Sequence, residues 1–168
     1  MDMAISLHAA TPADAGDIAC LLRASWASTY GSLLTPDELS SVAQQWHHPD
    51  RLRDEVSNPR VRFLLARTDT DALVGVATVR LSDDGATLSV LRLYVLPNYQ
   101  GQGIGSQLLN QALAAFSDAQ RIELQVAEGN PSGLSFWMRR GFRACGQDQV
   151  RIGNTTLVLI SMERTAAA

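Results

Sequence analysis

The sixteen residues from Leu91 to Ser106, Leu-Arg-Leu-Tyr-Val-Leu-Pro-Asn-Tyr-Gln-Gly-Gln-Gly-Ile-Gly-Ser, admit few folds. Leu91, Leu93 and Val95 alternate as on one face of a strand, and Pro97, with no N–H to give a ladder, ends it. Gly101, Gly103 and Gly105 then permit backbone angles and close approaches that a side chain would forbid. Leu108, Leu109, Ala112, Leu113 and Phe116 follow at helical spacing. A strand must therefore turn through glycines into a helix whose first N–H groups lack partners, and that end of a helix favours anions. Two readings stand: a main-chain cradle for phosphate, or a tight turn with no ligand.

Two familiar nucleotide loops do not fit. A Walker loop ends in Gly-Lys-Ser/Thr, and the fourteen basic side chains of this chain are all arginine. A dinucleotide fingerprint needs a third glycine where Ser106 stands. Glu123 lies near the spacing of a ribose-binding acid, but between Ile122 and Leu124 it reads as mid-strand and not as a strand end.

Gln100-Gly101-Gln102-Gly103-Ile104-Gly105 does resemble the acyl-CoA pyrophosphate loop of the GNAT family of N-acetyltransferases. Asn130-Pro131-Ser132-Gly133-Leu134-Ser135-Phe136-Trp137-Met138-Arg139-Arg140-Gly141-Phe142 is similar to the family's second half-motif. Element order agrees along nearly the whole chain. The resemblance implies one α+β domain over 1–168. Its mixed, mostly antiparallel sheet would have six or seven strands, splayed in the middle and flanked by about four helices. Pantetheine would enter the gap after the strand containing Val95 and bond main chain as an added strand does.

The chain in order is compatible with this. Ile5, Leu7 and Ala9 alternate as a first strand. Thr11-Pro12-Ala13-Asp14 opens a helix that buries Ile18, Leu21, Leu22 and Ser25. Leu22, Trp26 and Tyr30 form a stripe, either core or, as the resemblance implies, acceptor-pocket wall. Thr35-Pro36-Asp37-Glu38 caps a second helix through about Trp46, and Pro49-Asp50 starts a third ending near Asn58-Pro59. His47 and His48 read as a solvated helix end, because adjacent helical side chains diverge by about 100°. Three antiparallel strands, 61–66, 72–81 and 86–96, precede the glycine loop; a strand at 121–126 and a helix from Asn130 to Gly141 follow it. The last hairpin turns about Ile152-Gly153-Asn154, and Thr165 to Ala168 read as a frayed tail.

By resemblance, main chain at Leu93, Tyr94 and Val95 meets the acyl and pantetheine groups, with the Val95 N–H at the oxyanion. Gln100, Gly101, Gln102, Gly103, Ile104, Gly105 and Ser106 hold the pyrophosphate, and Asn130 reaches the pantetheine arm. Two positions depart from the family pattern. Ser89 stands where many members carry a glutamate base, and Trp137 where many carry a tyrosine that protonates the leaving thiolate. Serine does not accept a proton at neutral pH, and an indole N–H donates a hydrogen bond without acting as an acid. Trp137 packs on pantetheine or anchors its helix. Tyr30 is the acceptor-side candidate.

The expected activity is transfer of acetyl from acetyl-CoA to a primary amine of a small molecule, amino acid or peptide by direct attack. The alternative, prompted by the two departures, is an acyl-CoA-binding regulator or sensor with little turnover. Acetyl-CoA is the expected cosubstrate and no metal is expected. A net charge of −3 argues against nucleic acid and mildly favours cationic partners. Cys20 and Cys145 have no metal or redox spacing and read as reduced and buried. No apolar run approaches 18 residues, so no membrane association and a cytoplasmic location are expected, with homodimer formation left open.

Overall fold

The structure, a computed structural model, describes residues 4–166. Strand β1 (Ile5–Ala9) leads through Thr11 into a single 3-10 turn and then α1 (Ala15–Tyr30). The Thr11 N–H donates to Asp14 at 2.8 Å, so the capping signal is used one turn before the α-helix proper. Helices α2 (Pro36–Gln45) and α3 (Pro49–Val56) follow. Three antiparallel strands come next: β2 (Val61–Thr68), β3 (Leu73–Leu81) and β4 (Thr87–Val95). Then come α4 (Ile104–Ala114), β5 (Arg121–Ala127), α5 (Pro131–Arg139), β6 (Arg143–Ile152) and β7 (Thr155–Thr165).

Among the described residues these form a seven-stranded sheet in the order β1-β2-β3-β4-β5-β7-β6, antiparallel except where β4 meets β5. Five α-helices flank it. Helices α4 and α5 cover one face through Leu108, Leu109, Ala112 and Trp137; α1 and α3 cover the other through Ile18, Leu22 and Leu52. Arg67, its side chain only 8% exposed, pins the start of α1 to the end of β2 by bonding Asp14 at 2.8 Å and Asp17 at 3.1 Å.

The β4–β5 pairing runs only from Thr87↔Arg121 to Val90↔Leu124. Beyond it β5 stays with β7 as far as Ala127↔Leu159, while β4 stays with β3 as far as Val95↔Gly75. The two strands therefore separate, and the splay expected in the middle of the sheet is present. The expected face of Leu91, Leu93 and Val95 is corrected. Thr78 pairs with Arg92 and Val79 with Val90, so Leu91 is the extra residue of a bulge and is 45% exposed. Past the bulge the faces exchange. Val90, Leu93 and Val95 pack on the α4 side, and Tyr94 packs with α1.

Other local expectations are also revised. Ala9 is exposed, because the chain is already leaving β1 for the turn at Thr11. His47 is buried at 6%, whereas His48 caps α3, its Nδ1 accepting from the Asp50 N–H at 3.2 Å. Both cysteines are free and exposed, Cys20 on the outer side of α1 and Cys145 on the edge strand β6. Thr165 belongs to β7, and the rest of the expected frayed tail, 167–168, lies outside the described residues. Glu38 closes a capping box with Thr35 and also accepts from the N–H groups of Asn154 and Thr155 at 3.0 and 3.1 Å. It ties α2 to the β6–β7 turn and is spent on structure.

Candidate active site

The glycine loop follows directly on the end of β4 that borders the gap. The Leu96 N–H bonds the Val74 carbonyl at 2.9 Å, so by strand alternation Leu93 and Val95 aim their main-chain groups away from β3, into the gap that β5 has left. The Val95 carbonyl accepts from Gln100 Nε2 at 2.8 Å. Gln100 thus braces the loop against the strand end. Gly101 and Gly103 have φ of 78° and 83°, angles that turn the chain sharply onto the α4 axis. Ile104, 4% exposed, anchors the loop in the core. Among the described residues, no main-chain acceptor bonds the N–H groups of Gly101 through Ser106. An unpaired N–H row at the positive end of α4 fits a diphosphate, and an open strand edge fits an extended amide-bearing arm.

A basic recess adjoins the loop, and the sequence reading missed it. Arg140 donates to Ser106 Oγ and to the Phe136 carbonyl (3.1 Å), with its guanidinium 3.4 Å over the Phe136 ring. Arg139 and Arg164 line the same recess. Burial and the neighbouring Arg139 charge both disfavour the Arg140 cation, a penalty that a bound anion would relieve. Replacing Arg140 with alanine should raise the KM for acetyl-CoA about tenfold, roughly 1.4 kcal/mol, with little change in kcat. Initial rates at varied acetyl-CoA check this.

On the α1 side of the sheet lies a cavity of about 900 Å³. Trp26 and Tyr30 of α1 form one wall, with ring centroids 4.5 Å apart; Trp46 meets Trp26 edge-on at 5.8 Å. The Asn130 side chain lies close enough to the Tyr30 phenol to counter part of the effect of burial on it, and Asn130 Oδ1 caps α5 by accepting the Gly133 N–H at 3.1 Å. The fold thus brings together two residues expected on opposite sides of the reaction. Tyr94 faces the same cavity. Burial pushes both phenols up, so both stay protonated. Trp137 is 8% exposed and stacks edge-on with Phe136 and Phe142, within the core under α5.

The charged lining was also not anticipated. Arg92, its side chain 9% exposed, grips Glu55 through two contacts of 2.7 and 3.2 Å, and Arg51 adds a third. Burial alone would push the Glu55 carboxyl up; Arg92 and Arg51 outweigh it and hold the group below the usual range. Ser89 and Glu123 are register partners, and Ser89 Oγ donates to Glu123 Oε1 at 3.1 Å. Glu123 Oε2 meets Arg121 at 2.5 Å. His47 contributes an imidazole whose Nδ1 is buried without a hydrogen-bond partner among the described residues. Arg51–Glu55 and Arg121–Glu123 are local pairs, but the Arg92–Glu55 and Ser89–Glu123 contacts that assemble the lining join residues 37 and 34 apart, and no local pattern marks them.

An unpaired N–H row, an open strand edge and a cavity beside the splay fit the class of acyl-CoA-dependent N-acyltransferases. The model of the acetyltransferase (GNAT) family matches residues 24–142, and the chain belongs to that family. It is 28% identical over 142 residues to an uncharacterized N-acetyltransferase of Mycobacterium tuberculosis, covering 83% of this chain and 90% of that one. It is 28% identical over 147 residues to the spermidine N(1)-acetyltransferase of Thermoplasma acidophilum, covering 84% and 89%. The crystal structure of the PaiA N-acetyltransferase from T. acidophilum in complex with coenzyme A superposes with a TM-score of 0.83 at 24% identity, over 97% of this chain and 99% of that one. Among the described residues, no helix is long and apolar enough to cross a membrane.

Proposed function

We propose that the protein transfers the acetyl group of acetyl-CoA to a primary amine by direct attack, with both substrates bound at once. The observation that carries this reading is the separation of β4 from β5 beside the unpaired N–H row of α4. Gly101 to Ser106 hold the pyrophosphate, Leu93 and Val95 hold the pantetheine arm, and the Val95 N–H meets the developing oxyanion. Asn130, held by its cap bond to the Gly133 N–H, borders the arm, and the amine enters from the Trp26–Tyr30 wall. Proximity in a dry cleft supplies most of the rate, because thioester aminolysis is favourable once the amine is neutral.

The charge of the cavity narrows the acceptor. Glu55 and Glu123 are its carboxylates, and four arginines, Arg51, Arg80, Arg92 and Arg121, share the lining. Both carboxylates are already bound by arginine. No surplus of negative charge awaits a polycation, so the body of the acceptor is neutral or anionic, as in an amino acid or a peptide N-terminus. This departs from the cationic partner that net charge alone suggested. The test is CoA release across a panel of amino acids, dipeptides, simple alkylamines and spermidine. Amino acids or peptides should exceed spermidine in kcat/KM by at least about tenfold, about 1.4 kcal/mol. A preference for spermidine would reverse the charge argument. Tight CoA binding with no turnover across the panel would instead favour an acyl-CoA sensor.

A further inference from the structure

We propose that Glu123 takes the proton from the incoming amine and that Ser89 positions it for the task. The inference rests on the acetyltransferase reading above. An alkylamine with a pKa of about 10 arrives at neutral pH as the ammonium ion, and its nitrogen cannot attack until one proton has left. Few groups lining the cavity can accept it. Tyr30 and Tyr94 are held protonated by burial. Glu55 is enclosed by Arg92 and Arg51, its side chain 19% exposed. His47 lies so deep that a proton on it is disfavoured.

Glu123 also bonds an arginine, Arg121, but it is more open than Glu55. Its side chain is 40% exposed, and it sits one residue before the last β4–β5 pair, at the threshold of the splay. Ser89 and Arg121 each engage one carboxylate oxygen, and each oxygen keeps a second lone pair. The parallel register puts Ser89 and Glu123 on the same cavity-facing side. The charges around Glu123 come from every neighbouring strand: Arg121 on β5, Arg80 opposite Ser89 on β3, Glu163 opposite Glu123 on β7, and Arg143 on β6. Arg121 and Arg143 hold Glu163 at 3.1 and 3.8 Å, so Glu163 offsets them and leaves Glu123 facing the cavity.

In the step itself the ammonium passes one proton to Glu123, and the freed nitrogen attacks the thioester carbonyl. The C–N bond forms and the C–S bond breaks. The remaining surplus proton on nitrogen goes to the departing thiolate, and Glu123 releases its own to solvent. Ser89 touches neither substrate in this scheme. Its hydroxyl sets the direction of the carboxylate.

The experiment compares the wild type with Glu123→Gln and Ser89→Ala, using two acceptors. One is the best alkylamine found for the wild type; the other is methoxyamine, which is already neutral at pH 7. For Glu123→Gln with the alkylamine, kcat/KM at pH 7 should fall about 10²-fold, within the usual range for a lost general base. That loss should shrink as pH approaches the pKa of the amine, and with methoxyamine it should stay under about threefold. The KM for acetyl-CoA should not move. Ser89→Ala should show the same pattern at about tenfold, which serves as the test should Glu123→Gln not fold. A loss equal for both acceptors and flat with pH would mark Glu123 as structural and overturn the proposal. So would full activity of Glu123→Gln. A wild type inactive on every amine would overturn the acetyltransferase reading itself, a result distinct from both.

Discussion

Replacing Gly103 with valine should weaken CoA binding by at least about 100-fold, roughly 2.7 kcal/mol, while the domain stays folded. Gly103 sits at φ 83° and ψ 4°, immediately before the first turn of α4. A Cβ built there meets nothing within 4 Å, so the fold has room for a side chain. The backbone does not tolerate one equally well. The left-handed region costs an L-residue about 1–2 kcal/mol and a β-branched one more. Valine therefore shifts the turn that aims the N–H groups of Ile104 to Ser106, and its methyls fill the open space in front of them. Both effects fall on the anion site and neither on the core. Gly105→Ala is the control. A Cβ at Gly105 meets Val95 Cγ2 at 3.7 Å and Phe136 Cε2 at 3.9 Å, ordinary contacts in a helix that alanine favours. Its affinity should stay within about threefold, less than 0.7 kcal/mol. Calorimetric titration with CoA measures both; unchanged affinity in Gly103→Val would remove the pyrophosphate from this loop.

His47 should give the protein a pH-dependent stability with a definite sign. Burial disfavours its imidazolium, the nearby Arg92 charge adds to that, Glu55 opposes it, and the balance lowers the group from 6.5 to about 4. In the unfolded chain it titrates near 6.5. Between about pH 6.5 and 4 the unfolded state therefore binds the extra proton, and stability falls as pH falls through that window. Above 6.5 the contribution is complete and constant. The span is worth about 3 kcal/mol, taking 1.36 kcal/mol per pKa unit. Glu55, Asp14 and Glu38, whose carboxyls are held low, lose their contributions further down in acid. Denaturant unfolding of the wild type and His47→Gln at pH 7, 6, 5 and 4.5 isolates the effect. The variant should lose most of the slope above pH 5, whatever its absolute stability. Parallel slopes would mean that the imidazole is hydrated in the folded state.

Much of the fold was legible in the chain because its signals are local. A proline and three glycines set where β4 ends and α4 begins, through the angles those residues allow and forbid. Thr11, Thr35 and Asn130 mark helix starts by the bonds they offer within three residues, and alternation marks the strands. The cradle side of the site is built from main chain of one continuous segment, so it could be read from that segment alone. On the other side, only the aromatic wall of Trp26 and Tyr30 was legible in this way. The bulge at Leu91 depends on how β3 and β4 register, and that one extra residue decides which side chains face the cavity. Ser89 reads as an empty position until the parallel pairing with β5 sets Glu123 beside it, across 34 residues of chain. His47 looks solvated on its own helix end and is buried because α1 and α3 close over it. Glu38 reads as part of a helix cap and is also taken by a hairpin more than 110 residues away. The proposed pyrophosphate cradle rests mainly on backbone angles, which are set by nearest neighbours, and only its Arg140 flank depends on tertiary packing. Proton transfer and acceptor choice need side chains from different strands at hydrogen-bonding distance, and only tertiary packing brings those together.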